Sequence, residues 1–99
     1  MKTVLNRGSI VRSLCGRDAD SLLAVMEVCE PYVLLTDGKK RPVARPKRKK
    51  MKHTQLILTS SPLTDNAAAW TNRRVRETIR VAAEKADADM TKEDWHGKR

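Results

Sequence analysis

The residues best equipped for chemistry lie together. Between Lys39 and Lys52 the chain carries nine Lys and Arg side chains and no acid: Lys39, Lys40, Arg41, Arg45, Lys47, Arg48, Lys49, Lys50 and Lys52. Residues 1–38 hold four basic and five acidic side chains, and residues 53–99 hold eight and seven. The formal net charge of +9 is therefore the charge of this one segment. Cations packed so densely repel one another and call for a counter-charge. A phosphate backbone answers that need, because binding releases its condensed counterions. The plainer reading is a solvated basic loop or tail; the charge density favours nucleic acid.

Other reactive side chains are few and badly spaced for catalysis. Cys15 and Cys29 form no CxxC pair, and His53 and His96 form no HxxxH pair, so no zinc site is expected. The two cysteines are expected to be free thiols that pack as small hydrophobes. No glycine-rich phosphate loop and no nucleophile elbow is present. His53 adjoins the basic run, and a single histidine does not make an acid–base site. Asp18 with Asp20, and Asp87 with Asp89, read as turn and helix-end features. The expectation is a protein that is not an enzyme, with no cofactor, no metal and no small-molecule substrate.

The elements that must position the basic segment are short. Ninety-nine residues with no Phe, two Trp and one Tyr make one small domain whose core comes from Val, Leu, Ile, Ala and Met. Gly8–Ser13 reads as a first strand, bounded by Gly8 and Gly16. Leu14–Asp20 is a turn region. Ser21–Val28 is nearly continuous in apolar residues and predicts a strand buried on much of both faces, or one that curls into a barrel. Pro31 breaks it. Tyr32–Thr36 is a third strand. Asp37-Gly38 predicts a two-residue primed hairpin turn. Lys39–Ala44, interrupted by Pro42, then reads as an edge strand. Arg45–Lys50 is expected to be extended because of Pro46, and Thr54–Leu58 closes the sheet.

The rest of the chain reads as helix. Residues 59–65 form a linker, with Thr64 or Asp65 as N-cap. Asn66–Ala86 is predicted helical, with Ala68, Val75, Ile79, Ala82 and Ala86 on one apolar stripe. Trp70 lies off that stripe and is expected to pack helix against sheet. Arg73, Arg76 and Arg80 lie on the opposite face, either as a solvated salt-bridged surface or as a second phosphate-contacting one. Residues 87–99 are expected to be a disordered tail. The apolar run Leu22–Met26 is too short to span a membrane or to serve as a signal core, so a cytoplasmic location is expected.

Several pieces, in order, carry a resemblance: Ser9–Ser13, Gly16-Arg17-Asp18, the apolar second strand, Tyr32–Gly38, and the run from Pro46 to Lys52-His53. Over roughly residues 4–58 the chain resembles the KOW-domain RNA-binding proteins. Within that family it resembles the bacterial relatives of the archaeal and eukaryotic large-subunit ribosomal KOW proteins. The resemblance implies a small five-stranded barrel of the Src-homology-3 type that binds ribosomal RNA. In the family's first loop, glycine, arginine and aspartate precede a lysine and a second glycine. Here Ala19 and Asp20 stand at those last two positions, which shifts the expected contact surface toward residues 39–52.

Together these readings give a mainly β fold with a C-terminal helix. Residues 1–58 form a KOW-type barrel that includes the basic segment 39–52. The expected function is docking on structured RNA, with ribosomal RNA or the large ribosomal subunit as partner and ribosomal proteins as further neighbours. The residues expected to contact RNA are Arg12, Arg17, the nine cations of 39–52, His53, Arg73, Arg76 and Arg80. Phosphate contacts carry little sequence information, so recognition by RNA shape is expected. The alternative is a protein-interaction module that binds a transcription or translation factor. A lipid anchor fits poorly: the basic run is extended and proline-containing, and the helix stripe is mostly alanine.

Overall fold

A computed structural model describes residues 5–17, 19–63 and 70–98. Five antiparallel strands are followed by one helix: β1 (Ile10–Ser13), β2 (Leu22–Cys29), β3 (Tyr32–Thr36), β4 (Lys47–Lys50), a 3-10 turn (Met51–His53), β5 (Thr54–Leu58) and α1 (Asn72–Lys98). The strand order is β4-β3-β2-β1-β5. The mainly β fold with a C-terminal helix is the one expected.

The connectivity requires the sheet to curl. β4 and β5 stand at opposite ends of the order, yet only Met51–His53 joins them. In a flat sheet, four inter-strand gaps would part them by about 19 Å. The link from Lys50 to Thr54 spans at most about 14 Å. Irregular register between Ile10 and Val11 on β1, and between Val25 and Glu27 on β2, supplies local bends.

Curling creates an inner and an outer face. Val11, Leu23, Val25, Val33 and Leu35 fill the inner one, closed by Leu5 with Met51 and Leu56. Ile10 and Ala24 point outward and are covered by Leu63, Trp70, Val75 and Ala82. β2 is thus buried on both sides along its first half, as its unbroken apolar run predicts. Trp70 packs between helix and sheet as expected, although it precedes the helix, and the Arg7 guanidinium lies over its ring.

Three boundaries differ from expectation. The Asp37-Gly38 turn is not a primed two-residue hairpin. That turn needs positive φ at both positions, and only Gly38, at 72°, adopts it. Instead the Asp37 carboxylate accepts from the Lys39 and Arg41 backbone N–H groups, both at 2.8 Å, and builds a wider loop. Lys39–Ala44 consequently forms no strand. Pro42 has no N–H to donate, and its carbonyl instead closes a turn with the Arg45 N–H. The fourth strand is the basic run itself, Lys47–Lys50, which pairs with β3 in the register Tyr32↔Lys50 to Leu35↔Lys47. Lysine and arginine favour strands weakly, but an edge strand tolerates them and is protected by their charge.

The helix, expected from Asn66, begins at Asn72. Thr71 caps it: its Oγ1 accepts from the Arg74 N–H and its carbonyl from the Val75 N–H. The proposed caps Thr64 and Asp65, and Ala68 of the stripe, lie outside the described residues. The helix also continues to Lys98 where a disordered tail was expected. The stretch after Ala86 contains good helix formers and meets no glycine until Gly97.

Candidate nucleic-acid interface

The basic segment surrounds one sheet edge. The 37–46 loop leads into β4, and the 3-10 turn carrying Lys52 and His53 leads out of it. Along β4 the side chains alternate. Arg48 and Lys50 share the outer face with Leu34 and Tyr32, while Lys47 and Lys49 share the inner side with Leu35 and Val33. Arg48, Lys50, Lys52, Lys39, Lys40 and Arg45 are exposed, and Lys47, Arg41 and His53 are half-buried.

Lys49 behaves differently from its neighbours. It is only 9% exposed, and its ammonium donates to the Cys15 carbonyl oxygen at 3.1 Å. The Ser13 hydroxyl donates to the same oxygen at 3.0 Å. A buried ammonium is costly unless it is bonded, and this one serves as a brace. It holds the 14–20 loop, and with it the exposed Arg17, beside β4. The Leu14 N–H, bonded to the His53 carbonyl, fixes the same loop to the 3-10 turn. In that loop Asp20 takes a φ of 71°, a left-handed conformation that aspartate tolerates better than most residues. Asp18 lies outside the described residues.

Three of the helix arginines are engaged within the protein. Arg73 pairs with Glu77 at 3.2 Å and Arg80 with Glu84 at 3.7 Å, all four well exposed. Arg76 donates to the Gly38 carbonyl at 2.8 Å. The Val43 N–H donates to the Asn72 side-chain oxygen at 2.9 Å. The helix start therefore clamps the basic loop. Arg12, on β1, is half-buried, and its Nε is sealed from solvent with no hydrogen-bond partner among the described residues.

Two residues with a part in the site escaped sequence reasoning. Tyr32 carries the Arg48 guanidinium over its ring, 4.6 Å from the centroid; the diagonal cross-strand offset behind this depends on the β3–β4 register. Asn72 orients the loop, and its asparagine-to-backbone bond spans 29 positions of chain. Beside Tyr32, the Cys29 thiol is raised above the ordinary cysteine value, first by desolvation and then by the Glu27 carboxylate. It stays protonated at neutral pH and adds no negative charge there.

The exposed cations Lys39, Lys40, Arg45, Arg48, Lys50, Lys52 and Arg17 thus flank one edge with no salt bridge to an acid among the described residues. No group of His, Cys, Asp and Glu suited to hold a metal occurs among those residues, and no described helix is long and apolar enough to cross a membrane. No protein-family model matches the chain, and no curated protein matches it significantly.

Proposed function

We propose that this chain is an RNA-binding protein of the KOW type that docks on structured RNA, with ribosomal RNA of the large subunit as the target. The observation that carries the reading is the concentration of exposed cations along β4 and the two segments joined to it, none of them salt-bridged to an acid among the described residues. Such a stripe tracks a phosphate backbone and gives salt-dependent affinity. Two features support the KOW resemblance. The sheet is five-stranded and must curl, and Asp20 occupies the left-handed position where the family's second glycine is expected. Lys49 and Arg76 act as braces that set the two loops against the stripe. The proposed partner sets the compartment as cytoplasm.

The test is in-cell cross-linking of the full chain followed by sequencing of the attached RNA. Enrichment of large-subunit ribosomal RNA is the expected result. Recovery of a protein partner that survives nuclease treatment, with no RNA enriched, overturns the reading in favour of a protein-interaction module.

A further inference from the structure

The outer face of the sheet is only partly covered. α1 packs on β2 and β5, where Val75, Ile79 and Ala82 shield it. Further along the same face, β3 and β4 present Tyr32, Leu34, Arg48 and Lys50, which are half-buried or exposed, whereas inward-facing Val33 and Leu35 are fully buried. Tyr32 stands opposite Lys50. Arg48, two residues back on the same face, lays its guanidinium over the ring.

A free arginine side chain samples many rotamers and loses that freedom on binding. Here the ring already holds the guanidinium, while Arg48 as a whole remains exposed. A nucleobase stacks on a guanidinium plane as readily as on an aromatic ring, provided the base is unpaired. The surrounding charges give direction. Exposed Glu27, across Leu34 on β2, repels phosphate from that side, and exposed Lys50 attracts it on the other.

We propose that Arg48, held on Tyr32, is a stacking site for one unpaired nucleobase of the bound RNA, with Lys50 taking the adjoining phosphate. The inference rests on the RNA-binding reading above and deepens it, since phosphate and shape contacts alone need no unpaired nucleotide.

The deciding experiment compares two fluorescent probes with the full chain: a short single-stranded oligouridylate, and an oligonucleotide of the same length that is abasic at every position. Both carry the same phosphates. The native chain is expected to bind the intact probe about tenfold more tightly. Arg48→Lys keeps the charge and removes the plane, so it should erase that preference and leave the slope of log affinity against log salt unchanged. Tyr32→Leu should do the same, and Tyr32→Phe should retain the preference. Because Tyr32 is half-buried, a second measurement uses the native chain: zero-length ultraviolet cross-linking to the intact probe should give an adduct at Arg48 or at Tyr32 and Lys50 beside it. Equal affinity of the native chain for both probes, or adducts only at other residues, overturns the base site and leaves the phosphate reading standing. Absence of binding to either probe at low salt overturns the base site, while the structured-RNA reading stands or falls with the in-cell cross-linking.

Discussion

The Arg76 guanidinium donates to the Gly38 carbonyl oxygen at 2.8 Å, across 38 positions of chain. Around that bond, the loop carrying Lys39, Lys40 and Arg41 docks on the first turn of α1. Asn72 receives the Val43 N–H there. A side chain on Gly38 would run into the Asn72 carbonyl oxygen and approach Arg76 Cγ within 3.1 Å. The helix thus scaffolds the basic loop, and two of its exposed arginines, Arg73 and Arg80, are paired with glutamates one turn on.

Arg76→Ala should lower stability by about 1 kcal/mol, below the usual range of roughly 1.5–3 kcal/mol for a charge-assisted bond because the residue is exposed. Arg73→Ala and Arg80→Ala break only surface pairs and should each stay within about 0.5 kcal/mol of the native chain. Urea unfolding of the three variants checks this. Equal losses in all three would remove Arg76 from its role as a clamp.

Gly38→Ala tests the joint from the other side. The φ of 72° strains any L side chain, and the built Cβ meets helix backbone, which cannot swing aside. A loss of at least about 1 kcal/mol is expected from the conformation alone, with the clash added. A thermal melt unchanged from native would mean that loop and helix are not docked this way.

Cations of the basic segment should separate into two classes by salt dependence. Arg48→Gln, Lys50→Gln and Lys52→Gln together remove three exposed charges, and each should lower the log–log slope of RNA affinity against salt by about 0.7 to 0.9. Lys49→Met removes a charge that is bonded to the Cys15 carbonyl and only 9% exposed. Its slope should match the native one. Binding isotherms at several salt concentrations decide the matter, and a full-sized slope change for Lys49→Met would return that residue to the contact surface.

Val75→Asp places a carboxylate at a fully buried position among Trp70, Ala82 and Ile10. With no cation bonded to it, the charge should cost several kcal/mol, and circular dichroism should find the domain largely unfolded. A native-like melting curve would show that α1 is not part of the core.

The residues themselves determined a good part of this. β-branched and leucine-rich runs located β1, β2, β3 and β5, because strands buried on one or both faces must be apolar where they meet the core. Val75, Ile79 and Ala82 marked the packed side of the helix by their spacing, and the basic segment announced itself by charge alone. What the sequence could not convey depends on partners distant in the chain. Lys47–Lys50 became a strand because β3 offers a free edge beside it, which local propensity cannot register. The helix began at Asn72 because Thr71 caps it there and Asn72 bonds Val43. Above all, nine similar cations took different roles only in the folded chain. The β-strand alternation turned Lys49 inward to brace Cys15 and Arg48 outward onto Tyr32, and the direction in which a side chain points is settled by the register of the strand that carries it.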